Sequence, residues 1–419
     1  MKKRKLVLIV GFLGTILWLT VAYSAYVDPE TKLTPKDAIS LLRSPSHPPV
    51  SPDQTVIGPA EEIRGVLGTP GKNVVASPSG DGDTVQAIWG APSGNPNEMM
   101  ELWYAISTDG GGTWTLSSGQ VSTRRARRLY PAIEQLLGDT LRVPHIAWHE
   151  GRAPAGTYLR HPLYWTWDDF HPFMIFGPVC IDPADSATIH FWFPSLELSE
   201  FADTILISAA NINQSGSPTL HNAYLWRSFD GGSTWEKLDM IDTQARGKVD
   251  IDSPLITKGP GGYIFAYFEW GEEVAGPPLD TIFLPWYMES FDCGETWSAP
   301  DSLGVPYDSA SSWWYTYDVL LDESDAYRPH VAIKFSPQSF EFSDVWELHP
   351  YSGSMGSWSN WQYTLLAGDQ YGAERLATQP SIGRVRGTSQ IYVTFSYFSD
   401  PALGPVSYTH LTLPTKRIV

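Results

Sequence analysis

Three stretches of the chain spell one pattern, S-x-D-x-G-x-T-W. Ser107, Asp109, Gly111 and Trp114 carry the first copy, Ser228, Asp230, Gly232 and Trp235 the second, and Ser290, Asp292, Gly294 and Trp297 the third. The three tryptophans stand 121 and 62 residues apart, so the first interval holds two periods of about 60. A worn copy lies midway, around Thr166-Trp167-Asp168, and another ends at Trp358 after Ser352 and Gly353. An aspartate carboxylate accepts backbone N–H groups inside a tight turn. Glycine takes the positive-φ positions, and the indole that follows offers a large apolar face to a sheet. The pattern therefore reads as a folding device that closes a hairpin, and its aspartates are expected to be structural.

A second feature keeps the same beat. Short apolar strands begin at Val85, Leu141, Ile205, Ile264, Val331 and Ile391. Upstream of most lies a proline followed by small or apolar residues: Pro131-Ala132, Pro194-Ser195, Pro254-Leu255 and Pro380-Ser381. Each unit thus contains strand, turn, strand, loop, strand, aspartate turn, strand. Four strands repeated at this period predict an all-β fold, a six-bladed β-propeller with four-stranded blades. The last blade is expected to be truncated, broken after its second strand. With 18 Trp and 20 Tyr, the chain has the large aromatic core that such packed sheets need.

The ends differ from the repeats. Residues 1–25 read as a signal peptide or N-terminal anchor: a basic start at Lys2, Lys3, Arg4 and Lys5, an apolar run from Leu6 to Ala22, then small residues at Ser24 and Ala25. Seventeen apolar residues also just suffice to span a bilayer, so both readings stand. Residues 26–70 form a Pro-rich arm with one short helix signal, in which Thr34 caps and Pro35 opens the apolar stripe of Ala38 to Leu42. The propeller is expected over 71–405. Val406 to Val419 resembles the translation of a sequencing adapter and is set aside as an artefact.

Export makes a disulfide between Cys180 and Cys293 conceivable, but their separation favours two unpaired thiols. The net charge of -18 repels phosphate backbones and argues against nucleic acid as a partner. A membrane is expected to be met only through the N-terminal segment. No zinc-ligand spacing, phosphate loop or Ser-His-Asp order appears, so no metal or cofactor is expected. Asp250 and Asp252 alone do not make a calcium site.

The motif and its period resemble the BNR or Asp-box repeats of the sialidase superfamily over roughly residues 71–405. The resemblance implies that the boxes lie on the face away from the ligand site and do no chemistry. It also implies a catalytic set in true sialidases: an Arg-Ile-Pro motif, three arginines on the substrate carboxylate, a Tyr–Glu nucleophile pair and an Asp acid/base. An Arg-Ile-Pro is not found here; Arg43-Ser44-Pro45 and Arg128-Leu129-Tyr130-Pro131 are its poor stand-ins.

A ligand site is expected on the loops opposite the boxes. The candidates are Arg128, Tyr130, His149, Glu150, Arg152, Glu269, Tyr317 and Arg375. Arg124 to Arg128 suit a carboxylate or sulfate, or form a solvated loop. His149-Glu150-Gly151-Arg152 and the acids Glu269, Glu272 and Glu273 offer sugar contacts or acid/base groups, or local ion pairs. Trp270, Trp313 and Trp314 either stack on sugars or fill the core. No catalytic residue is assigned. The expected function is a secreted or surface-held, non-catalytic module for an extracellular glycan or protein. An exo-α-sialidase and a structural module of a larger surface protein are the alternatives.

Overall fold

Alternating apolar residues bounded by turn formers give strands throughout, and the strands group by sequence. The computed structural model describes residues 32–33 and, between 74 and 413, the strands named below with their tight turns and a few flanking residues; the longer loops lie outside the described residues. The first blade comprises β2 (Val74–Ala76), β3 (Val85–Pro92), β4 (Met100–Ser107) and β5 (Trp114–Ser117), with β1 (Lys32–Leu33) added outside β5. The second runs β6 (Leu129–Gln135), β7 (Pro144–Glu150), β8 (Leu163–Trp167), β9 (Val179–Asp182). The third runs β10 (Phe191–Leu198), β11 (Ile205–Asn211), β12 (Asn222–Ser228), β13 (Glu236–Asp242).

In the fourth, β14 (Asp250–Ile251) and β15 (Leu255–Lys258) both pair with β16 (Ile264–Glu273), followed by β17 (Thr281–Ser290) and β18 (Asp301–Ser302). The fifth holds β19 (Ala310–Asp322), β20 (Arg328–Pro337), β21 (Asp344–Ser352) and β22 (Ser359–Ala367). The sixth holds β23 (Leu376–Arg384), β24 (Ile391–Phe398) and β25 (Ser407–Leu413). Every pairing is antiparallel, and apart from β1 with β5, β14 with β16 and β17 with β19 each joins chain neighbours, the meander of a propeller blade. The fourth and fifth blades are joined by a single pair, Phe283↔Ser312.

The sixth blade has a third strand where two were expected. Ser407–Leu413 lies in the segment set aside as foreign, yet its period-two alternation suits the edge that β24 presents. The export segment and the helix signal at Thr34 to Leu42 lie outside the described residues; of the arm, only Lys32 and Leu33 are described, paired with Thr115 and Trp114. Four expected strand starts, Val85, Ile205, Ile264 and Ile391, begin β3, β11, β16 and β24.

The core is a series of clusters between blades rather than one centre. Along β16, Phe265 and Tyr267 face the fifth blade, while Ile264, Ala266, Phe268 and Trp270 face the third. Side chains on a strand alternate between faces, so one strand serves two interfaces. Trp270, a candidate sugar platform, is buried edge-on against Phe268 and Trp286.

The repeated turns explain how blades stay in register. Asp230 accepts from Thr234 N–H (2.8 Å), Thr234 Oγ1 (2.7 Å) and Ser228 Oγ (2.8 Å). Asp109 and Asp292 accept the same three bonds from Thr113 and Ser107, and from Thr296 and Ser290. Cys293, at φ 55, stands where Gly231 adopts φ 66.

The turn then docks on the preceding blade. Gly232 lies against the Trp165 indole of β8, and Trp235 meets that indole at 5.5 Å, edge to face. Gly294 lies against Leu225 of β12, and Arg227 donates to Cys293 O (3.4 Å) and pairs with Glu295. The worn turn of the fifth blade follows suit: Gly356 N–H donates to Glu289 of β17 (2.9 Å), and Trp358 Nε1 donates to the Tyr263 hydroxyl (3.3 Å). Trp165, Arg227 and Glu289 each immediately precede the Ser or Thr that opens a turn. Trp114 differs, packing in its own blade on Ala87, Trp89 and Ala105.

Two outcomes follow. Gly232→Ala forces a left-handed φ of 87 on alanine and sets Cβ 2.3 Å from Trp165; urea melts should show a loss of about 3 kcal/mol. Gly261→Ala, at φ 64 with nothing within 4 Å, should cost only about 1 kcal/mol. Acid melts give the second. The Thr113 and Thr234 bonds hold the Asp109 and Asp230 carboxyls down to about 2. Their folded pKa lies below the unfolded value of about 3.9, so their stabilisation is complete above that pH and is lost as pH falls through about 2. Asp230→Asn should flatten the melting-temperature slope between pH 4 and 2, in scans by circular dichroism.

Candidate functional site

Inner strands of the third to sixth blades break at one level. In β10 the ladder jumps between Trp192 and Ser195, in β19 between Ser312 and Tyr317, and in β23 between Thr378 and Ser381. In the fourth blade the inner strand is split outright into β14 and β15. Pro194, Pro254 and Pro380 stand at three of these breaks. Proline has no N–H to give the ladder, so it localises the break. Phe193, beside Pro194, is buried at φ 48, a left-handed conformation that an aromatic residue rarely takes. Bulges of this kind re-aim side chains.

The residue opposite the break differs among blades. In the third it is Ala209, and in the sixth Phe395. In the fourth, Glu269 lies within the interval between Trp270, paired with Ile251, and Tyr267, paired with Leu255. In the fifth it is Lys334, between Phe335 and Ile333. Two charged side chains therefore sit where adjacent inner strands leave the ladder.

Glu269 is 0% exposed. Its Oε1 accepts from the Tyr267 hydroxyl at 3.4 Å. The Tyr267 ring lies 4.4 Å from that of Tyr317. Burial pulls the Lys334 ammonium down to about 8, and the Glu269 carboxylate opposes that fall. The buried Tyr267, Glu269 and Tyr317 and the half-buried Lys334 thus form one group across the fourth and fifth blades. A carboxylate, an ammonium and two phenols can hold hydroxyl-rich or anionic ligands, and carboxylate with phenol can also do acid/base chemistry.

A second group lies across the second and third blades. His149 Nδ1 accepts from Phe193 N–H at 3.3 Å, which requires a neutral ring protonated at Nε2. Its ring stacks obliquely on Trp192 at 5.2 Å. Deeper in β7, burial lowers His145 to about 4, with its ring 5.6 Å from Trp165.

Of the eight candidates, the structure brings Glu269 and Tyr317 together through Tyr267 and puts His149 on another blade. All three were expected in loops; they lie in strands and are buried. The strands run longer than the turn signals implied: β16 and β17 pair without interruption from Ile264↔Ser290 to Glu273↔Thr281. Arg128, Arg152 and Arg375 lie outside the described residues, as does Gly111. Tyr130 and Glu150 are described only as strand positions opposite His149 and Leu129. No disulfide joins Cys180 and Cys293. Sequence reasoning missed Tyr267 and Lys334. The available signal was a lysine within the apolar run Val331-Ala332-Ile333-Lys334-Phe335, whose buried neighbours leave it no ordinary surface place.

No family model matches the chain, and no curated protein matches it by sequence. Solved structures do. A protein of unknown function from Dyadobacter fermentans aligns with TM-score 0.54 at 13% identity, over 84% of this chain and 98% of its own. The GH93 α-L-arabinofuranosidase of Fusarium graminearum, solved with arabinobiose, aligns with TM-score 0.50 at 12% identity, over 84% and 97%. The leech intramolecular trans-sialidase, solved with 2,7-anhydro-Neu5Ac, gives TM-score 0.50 at 10% identity, over 87% and 72%.

The fold is that of a sialidase-like β-propeller. In this propeller the Glu269–Lys334 group lies just past mid-strand, in the half of β16 and β20 remote from the aspartate turns. Its charge state should be readable from stability. Between pH 8 and the ordinary lysine value of 10.5, the unfolded chain keeps a proton that folded Lys334 has released. Stability therefore rises with pH across that window. The buried phenols of Tyr263 and Tyr287 hold their protons above the ordinary range, so their opposing effect starts only above about pH 10. Melting temperature should climb from pH 8 to 10 in the wild type and stay level there in Lys334→Met.

Proposed function

We propose that this propeller is a secreted or surface-held, non-catalytic module that binds an extracellular glycan at the Glu269–Lys334 end of its fourth and fifth blades. On this reading the S-x-D-x-G-x-T-W turns are Asp boxes, and the ligand face is the opposite one. The observation that carries it is the placement of Glu269 and Lys334 opposite inner-strand breaks. A fold that needed only packing would put apolar residues there, as the third and sixth blades do with Ala209 and Phe395. Burial favours binding over bond cleavage. Tyr267 and Glu269 are both 0% exposed and bonded to each other, so they support a ligand-bearing rim and do not reach a glycosidic oxygen.

One observation favours a second reading. A phenol hydrogen-bonded to a carboxylate is also the couple that an exo-acting glycoside hydrolase of sialidase type uses, the anionic substrate making a Tyr nucleophile preferable to a second acid. The titles of the similar structures name arabinobiose and a sialic acid derivative, which sets the test panel.

Glycan arrays followed by calorimetry with arabinobiose, 3'-sialyllactose and neutral oligosaccharides should give saturable binding, with Kd between roughly micromolar and millimolar. Glu269→Gln, an isosteric change, should weaken it at least about tenfold with an unchanged circular dichroism spectrum. Absence of saturable binding to any glycan overturns the proposal. Turnover of a fluorogenic sialoside or arabinofuranoside that is lost in Glu269→Gln replaces it with the hydrolase reading.

A further inference from the structure

His330, Glu347 and His349 gather on the fifth blade, away from the proposed ligand site. Glu347 and His349 are two residues apart on β21 and so share one side of that strand. His330 lies on the adjoining β20, just before the register pair Val331↔Leu348, which places it beside His349. The Glu347 side chain is 2% exposed. His330 Nδ1 lies 2.7 Å from Glu347 Oε1, and His349 Nδ1 lies 3.0 Å from both carboxylate oxygens. The two imidazole rings are 5.3 Å apart and inclined by 32°. One ligand atom from each residue falls within 4.8 Å of the others.

We infer that this trio is a binding site for a borderline divalent transition metal, zinc foremost. Two imidazole nitrogens and one carboxylate oxygen form a ligand set that zinc accepts. Calcium and magnesium prefer all-oxygen surroundings and are disfavoured by the same set. The β20–β21 ladder holds Glu347 opposite Ala332 and ends at Val331↔Leu348, one residue from His330 and His349, so paired strands set the three Cα positions. The present spacings are those of hydrogen bonds. Tetrahedral coordination at zinc distances separates ligand atoms by roughly 3.3 Å, so the two His–Glu contacts must open slightly and the widest separation, within 4.8 Å, must close by rotation of the side chains. His349 is partly exposed, with 23% of its side chain accessible. It offers the ion an entry and leaves a fourth position for water.

The site is independent of the glycan reading. His330 and Lys334 are four residues apart on β20, or roughly 13 Å at the strand rise. His330 follows the 323–327 turn, and β21 runs from Glu347 into the turn at Ser352. The ion would therefore clamp β20 to β21 at the aspartate-turn end of the blade.

The test uses the whole chain, stripped with chelator and titrated with ZnCl2 by calorimetry. A single Zn2+ should bind and raise the melting temperature, and Co2+ should give the visible bands of four-coordinate nitrogen and oxygen ligation without thiolate charge transfer. His349→Gln, at the most open position, should keep the fold and weaken binding at least about 100-fold. A Cys180→Ser/Cys293→Ser double variant should bind as the wild type does. If the folded wild type takes up no stoichiometric Zn2+ or Co2+, or if His349→Gln and Glu347→Gln bind unchanged, the inference fails. Should Glu347→Gln unfold, the cobalt spectrum of the wild type decides alone.

Discussion

The third and fourth blades of this propeller are each held to the one before by a carboxylate-closed turn, and the fifth by a worn copy of it. The aspartate in that turn is exposed and buries nothing itself. Its three accepted bonds fix the path of the loop, and that path brings a glycine backbone and an indole onto the third strand of the preceding blade. The receiving residue stands one position before Thr166, Ser228 or Ser290, while its chemistry varies: an indole at Trp165, a guanidinium at Arg227, a carboxylate at Glu289. Burial pushes the Glu289 carboxyl up, and bonds from Tyr263 and Gly356 pull it part of the way back. One local device thus serves interfaces of different polarity, because it presents backbone N–H and C=O groups that suit either sign of partner.

That arrangement also explains what the sequence made legible. The turn is local and repeats at a fixed interval, so S-x-D-x-G-x-T-W exposes the blade period, the strand count per unit and the structural role of Asp109, Asp230 and Asp292. The proline-led strand starts were visible as well, although what they mean emerges only in the sheet. Pro194, Pro254 and Pro380 are the points where inner strands leave the ladder, and a break in pairing is a relation between strands that neighbouring letters do not encode.

The polar groups were harder to place for the same reason. Glu269 and Tyr317 stood out as chemistry-bearing residues, but turn signals put them in loops, whereas the pairing of β16 with β17 extends to Glu273 and draws Glu269 inside. Tyr267 and Lys334 were hidden because tyrosine is common in this aromatic-rich core and lysine is ordinarily a surface residue. The His330–Glu347–His349 trio has no contiguous spacing to betray it: Glu347 and His349 form a short E-x-H on one strand, and the third member arrives only through the β20–β21 register.

The two ends of a blade therefore carry opposite obligations. At the turn end the carboxylates accept backbone N–H groups and packing is close enough that a single Cβ at Gly232 meets an indole. At the other end, inner strands depart from the ladder and charged side chains stand behind them. Burying Glu269 beside the half-buried Lys334 is costly unless the two are held together. A flexible sheet would relieve that cost by swinging them to solvent. Rigidity imposed by the latched turns prevents this, since rotating one blade outward would pull its glycine off the neighbouring strand. The aspartate turns, although remote from the ligand end, are in this sense what allows a polar group to stay buried there.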